Sequence, residues 1–217
     1  MTEGTDFLYP FIEGDERDAA PLLVDLASSA RAKSTESGHL RVGALERNKE
    51  TLAAAARAMA ACFANGGRLF TFGNGGSSTD ASLLAALFAD PPRGRALPAR
   101  CLDDDTAVLT ALGNDVGFDL VFSRQLIAHG APGDIALGCS TSGNSRNLVR
   151  AFEHARARGM LTVGLSGYDG GEISRIVDHC LIVGSDSVHR IQETQATLGL
   201  VLWDRVQGAL PAGANRG

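Results

Sequence analysis

Residues 68–78 read RLFTFGNGGSS, and residues 134–145 read DIALGCSTSGNS. In each, a short unbroken apolar run feeds directly into a turn of glycine, asparagine and serine. Unbroken apolar runs of this length are strands buried on both faces, the pattern of a parallel sheet covered by helices. Outward from these two, ALPARCL (96–102) is a weaker strand, MLTVGLS (160–166) a fourth and DHCLIVG (178–184) a fifth. Helical spacing fills the intervals at about 79–89, 106–112, 120–129 and 145–158, and a long helix from about Val188 to Gly208 closes the pattern. This alternation predicts an α/β fold, a five-stranded, mostly parallel, flavodoxin-like sheet flanked by helices.

Upstream, Gly43 to Ala64 carries Leu45, Leu52, Ala56, Met59 and Phe63 at helical spacing and stops at Gly66-Gly67. Before it lies an N-terminal extension, residues 1–42, with a loop at Tyr9-Pro10 and one amphipathic helix from Ala19 to Ala32. The sheet domain is placed at 43–208 and a flexible tail at 209–217. The 217 residues suffice for one α/β domain with a real core. Twenty Lys and Arg against 25 Asp and Glu leave a net charge of −5, which disfavours a nucleic-acid face. No apolar run reaches the length of a membrane span and the opening MTEGTDFLYP lacks the form of a signal peptide, so a cytoplasmic protein is expected. Cys62, Cys101, Cys139 and Cys180 are widely spaced and read as small buried hydrophobes rather than a disulfide or zinc framework.

The two turns carry the chemistry. At the carboxyl ends of parallel strands, glycines allow close backbone approach, and the next helix presents free N–H groups to an anion. The hydroxyls of Ser140, Thr141, Ser142 and Ser145 add neutral donors suited to a phosphate monoester. Either turn alone is equally an ordinary strand-to-helix turn with a Ser cap, but two in one domain favour phosphate. Neither the GxGxxG fingerprint nor a P-loop lysine is present, which argues against a dinucleotide or nucleoside triphosphate.

With GNGGSSTDA (73–81), ALGNDVGFDLVFSRQ (111–125), PGDIALGCSTSGNSRN (132–147), GLSGYDGGE (164–172) and RIQE (190–193) in order, the chain resembles the sugar-isomerase (SIS) domain family. Its nearest likeness is to the phosphoheptose isomerase branch, which also contains the replication-initiator-associating proteins. The resemblance implies substrate contacts from Asn74, Gly75, Gly76, Ser77, Asn114 and Asp115. It implies phosphate held by Ser140, Thr141, Ser142 and Ser145, Gln192 at substrate and metal, and a homotetramer with sites between subunits.

The chain departs from the family pattern where the resemblance implies zinc ligands and acid–base groups: those positions hold Leu83, Leu87 and Leu200, and only Gln192 is kept. Leucine supplies no donor to zinc and moves no proton, so no metal or other cofactor is expected. Glu193 is the candidate substitute base, with His189, Gln195, Asp80 and Asp115 also at hand. Asp80 reads more simply as support or cap for the glycine turn, and Glu193 as a partner for Arg190. The leucines read either as packing that fills the old site or as a subunit interface. Three functions follow. The first is a non-catalytic sugar-phosphate-binding or scaffold protein with a possible protein partner. The second is an active ketose–aldose phosphate isomerase of the sedoheptulose 7-phosphate type using Glu193. The third is a protein-interaction tetramer.

Overall fold

A computed structural model describes residues 20–211. Tyr9-Pro10, Ala19 and the end of the expected tail, residues 212–217, lie outside the described residues. The chain divides into two units between His39 and Leu40, and the sheet lies in the second. In chain order, helix α1 (Ala20–Arg47) and α2 (Lys49–Ala64) precede β1 (Leu69–Gly73), α3 (Gly76–Ala89), β2 (Ala99–Cys101) and α4 (Thr106–Asp115). A 3-10 turn (Phe118–Leu120) leads to α5 (Val121–His129), β3 (Ile135–Ser140), α6 (Arg146–Ala157) and β4 (Leu161–Gly167). The short α7 (Ile173–Ile176), β5 (His179–Val183) and α8 (Val188–Ala209) complete the fold. Among the described residues no helix is long and apolar enough to cross a membrane.

All five strands are parallel, in the order β2-β1-β3-β4-β5. Leu69 pairs with Ile135 and Gly73 with Cys139 in adjacent β1 and β3. The chain runs from β1 outward to β2 on one side, then returns to lay β3 on the other. That reversal opens a crevice between the carboxyl ends of β1 and β3, where open α/β sheets take their ligands. The turns at 73–78 and 140–145 therefore meet at that crevice.

The strands are apolar throughout because both faces are covered. On one face Met59 and Phe63 of α2, Phe88 of α3 and Leu198, Leu202 and Trp203 of α8 pack on Leu69, Leu137 and Leu165. On the other, Phe122 and Leu126 of α5 and Leu148 and Phe152 of α6 pack on Phe70, Phe72 and Ala136. Gly138 in the central β3 is required by this packing: a Cβ there would sit 2.7 Å from Phe152 Cζ and 2.8 Å from Phe72 Cε2.

Several local expectations are corrected. The helices do not divide near Arg41: α1 continues to Arg47, since Gly38 and Gly43 alone do not stop a helix, and the break falls at Asn48. There the side chain has a task outside the helix. Asn48 Nδ2 donates to Ile182 O (2.9 Å) and Ile182 N donates to Asn48 Oδ1 (2.8 Å), so one amide supplies the neighbour that edge strand β5 lacks. The weak strand shrinks to Ala99–Cys101, because Pro98 gives no N–H, while its carbonyl accepts from Leu69 N. Arg93 and Arg95, both exposed, are tied to α8. Arg93 pairs with Asp204 (2.6 Å) and lies over the Trp203 ring, and the Arg95 N–H donates to Gln207 (2.9 Å).

Asn48→Ala removes both bonds to β5 and leaves a partly buried N–H and C=O unpaired, a loss of about 1–3 kcal/mol. For a chain of this size the expected drop in Tm is about 2–12 °C by circular dichroism; an unchanged melt would show that β5 needs no such neighbour.

Candidate functional site

The glycine turn leaves β1 at Gly73 and enters α3 at Gly76. Gly75, at the helix N-cap, has φ +57° and ψ −124°, a conformation that a side chain resists. A Cβ on Gly76 would collide with the Gln192 amide, so the bare backbone of the turn lies directly against the start of α8. On its other side, Gly73 N donates to Asp103 Oδ2 (2.9 Å), just past the end of β2. Asp103 also accepts from the Cys101 thiol (3.5 Å). Burial pushes the Asp103 carboxyl up to about 6 and the Cys101 thiol up to about 12. Cys62 and Cys180 are likewise raised by burial, as is the fully enclosed Cys139, consistent with inert packing thiols.

The serine turn leaves β3 at Ser140. Ser140 Oγ accepts from Gly143 N (3.1 Å) and shares a hydrogen bond with Ser145 Oγ (3.2 Å), while Ser142 Oγ accepts from Asn144 N (3.2 Å). Gly143 holds φ +67°, and a Cβ there would strike Gly170 O. Ser145 occupies the N-cap of α6 without capping it through its side chain, so the hydroxyl faces the turn and the helix start keeps amides for an incoming acceptor. Thr141, Ser142 and Ser145 are all partly exposed. Hydroxyls and amides gathered at a helix N-terminus can hold an oxyanion without a formal positive charge.

Two contacts lock the turns together, and neither partner was singled out from the sequence as a tether. Asn74 Nδ2 donates to Asn147 Oδ1 and Asn147 Nδ2 donates to Asn74 Oδ1, each at 2.9 Å. Gln195 Nε2 donates to Ser140 O (3.1 Å), which binds α8 to the end of β3. Gln195 is thus a brace, fully buried, and not a substitute catalytic group. Asn114 and Asp115 stand exposed at the end of α4, with Asn114 Nδ2 donating to Asp115 Oδ1 (2.8 Å). His189 is an exposed residue of the first turn of α8.

Between α3 and α8 lies a groove of about 530 Å³. The leucines divide there. Leu84, Leu198 and Leu202 are buried in the core, whereas Leu83 is 60 % exposed and Leu200 51 % exposed. Leu83 and Leu200 therefore line an open groove and do not fill it, while Leu87, which also lines it, packs partly against the core. The same groove holds three charged side chains, Arg41, Asp80 and Glu193. Glu193 is paired with Arg41 (3.2 Å). Leu83, Leu87, Leu200 and Gln192 offer three hydrocarbons and one amide, a donor set that does not fit zinc. Among the described residues no cluster of three His, Cys, Asp or Glu side chains is placed to hold a metal.

Asp103 gives a pH signature at the glycine turn. Its folded value, about 6, stands above the unfolded 3.8, so its contribution to stability is present at low pH and lost as pH rises through about 6. Carboxyl NMR titration of Asp103 is expected to show a midpoint near 6. Asp103→Asn, relative to the native chain, should gain Tm between pH 5 and pH 8; parallel pH profiles would contradict this.

With this geometry in view, comparison with known proteins places the chain. Residues 35–167 match the SIS domain family. The chain is 42% identical over 179 residues to the phosphoheptose isomerase of Chlorobium limicola, covering 80% of this chain and 84% of that one. It is 46% identical over 159 residues to the phosphoheptose isomerase of Solidesulfovibrio magneticus, covering 70% and 76%. The solved phosphoheptose isomerase of Neisseria gonorrhoeae superposes with a TM-score of 0.80 at 38% identity, over 84% of this chain and 99% of that one. These relatives overturn the expectation of a non-catalytic binding or scaffold protein. That expectation equated three leucines with an emptied site, but the groove keeps two carboxylates and a guanidinium. By sequence and by fold, the chain belongs to the SIS-domain family, among the phosphoheptose isomerases.

Proposed function

We propose that this protein is a sugar-phosphate isomerase that interconverts a ketose phosphate and an aldose phosphate, with sedoheptulose 7-phosphate as the ketose. The observation that carries this is the pairing of an uncharged hydroxyl-and-amide cradle after β3 with a groove that holds carboxylates beside the glycine turn. The relatives named phosphoheptose isomerase support it at 42–46% identity.

In this proposal the phosphate rests on Ser140, Thr141, Ser142 and Ser145 and on the amides that open α6. Asn74, Gly75, Gly76 and Ser77 line the path of the sugar from one side, Gln192 from the other, with Asn114 and Asp115 at its outer end. Glu193 is the base. It removes a proton from C1 of the ketose, electrons move onto O2, and O2 takes up a proton to give an enediol; return of the carbon proton to C2 with loss of the O1 proton gives the aldose. Arg41, 3.2 Å from the Glu193 carboxylate, holds that group in position. No step is routed through a metal, since the donor set does not fit one.

The proposal includes a cytoplasmic homo-oligomer, with the tetramer as its form. Exposed Leu83 and Leu200 and, nearby in sequence to Arg41, Val42 at 69 % exposure are among the exposed apolar residues available for it.

Purified protein supplied with sedoheptulose 7-phosphate is expected to yield the aldose phosphate, followed by a coupled assay. Glu193→Gln should lower kcat about 100-fold or more, the usual weight of a positioned base. The Ser142→Ala/Ser145→Ala double variant should raise KM about 10-fold or more with a smaller change in kcat, as expected for lost phosphate contacts. No turnover by the native chain overturns the isomerase. Light scattering behind size exclusion should read four chains, and a monomer would remove the oligomer.

A further inference from the structure

Asp80 looks, in sequence, like support for the glycine turn, but the structure gives it no such work. The N-cap of α3 is Gly75, and Asp80 is the fifth residue of the helix, beyond reach of the free amides that a capping carboxylate serves. Its Oδ2 is buried and has no hydrogen-bond partner among the described residues. A carboxylate oxygen shut from water without a donor is unfavourable to the fold, so its presence needs another account. Burial also raises its pKa, which favours the protonated acid.

Its position supplies that account. Asp80, Leu83, Leu84 and Leu87 lie at helical spacing along one side of α3 and all line the groove, and Glu193 lines it from α8. Asp80 is one turn beyond Gly76, about 6 Å along the helix axis. Isomerisation through an enediol moves two kinds of proton, one on carbon and one on oxygen, and a second acid–base group lets the two move together. Of the three charged side chains in the groove, Arg41 retains its proton and is engaged with Glu193. Asp80 is the remaining proton carrier.

We infer that Asp80 is a second catalytic residue, a general acid–base group that passes the proton between O2 and O1 of the sugar while Glu193 handles the carbon proton. This rests on the isomerase proposed above. The steps balance without a co-reactant. Glu193 takes the C1 proton as the Asp80 acid protonates O2, giving the enediol. Asp80, now a carboxylate, then takes the O1 proton as C1=O forms, and Glu193 returns its proton to C2. Both side chains end as they began.

The test compares native protein, Asp80→Asn and Asp80→Ser in the sedoheptulose 7-phosphate assay, with binding of the same ester measured by calorimetry and folding by thermal melt. Native turnover is expected, with kcat at least 100-fold lower in both variants, ester Kd within about threefold, and Tm unchanged or raised by removal of the unpartnered carboxylate. Variants with kcat within threefold of an active native chain overturn the role of Asp80 and leave the isomerase standing. Loss of ester binding in step with activity in both variants also overturns it, since Asp80 would then be a structural group. An inactive native chain removes the isomerase, and the Asp80 proposal with it.

Discussion

The reciprocal amide pair between Asn74 and Asn147 is the contact on which the site depends. A parallel sheet brings the ends of β1 and β3 side by side, but it does not by itself hold two flexible Gly- and Ser-rich turns in a fixed relation. Two hydrogen bonds of 2.9 Å, from one side-chain amide to another, do so across 73 residues of chain. Asn147 is buried, so the pair is shielded from water and worth more than its exposed equivalent. Gln195 repeats the device from the other direction by tying α8 to Ser140 O.

Around this frame the site has a sharp division of charge. The cradle after β3 contains no ionised side chain: Arg146, which follows it, is turned to Asp119 at 3.2 Å. The groove beside it is apolar apart from Arg41, Asp80, Glu193 and Thr197. Neutral donors suit an ester that already carries charge and must be released again. A carboxyl among leucines suits proton transfer, and burial raises the pKa of Asp80.

The leucines at 83, 87 and 200 show that lost ligand positions are not lost chemistry, because acid–base groups need not occupy fixed positions on a helix. A helix offers four neighbouring positions per face within two turns. Asp80 shares one with Leu83 and Leu87, and Glu193 shares another with Leu200. That spacing was present in the sequence; its meaning was not, because nothing local distinguishes a carboxylate facing a groove from one facing water.

What the sequence determined by itself was the alternation of elements. Buried parallel strands must be apolar on both faces, and the turns that end them must be small and polar. Strand positions, most helix positions and the two strand-ending turns were therefore legible in segments such as RLFTFGNGGSS and DIALGCSTSGNS. Local pattern did not reach the break at Asn48, the carboxylate of Asp103 beneath the glycine turn, the brace from Gln195, or the unpartnered oxygen of Asp80. Each of these is a polar side chain whose partner, or lack of one, lies on a distant segment: Asn48 meets Ile182 and Asp103 meets Gly73. Only tertiary structure decides such pairings, because a side chain's hydrogen-bonding options look alike in sequence until the fold removes water from around it.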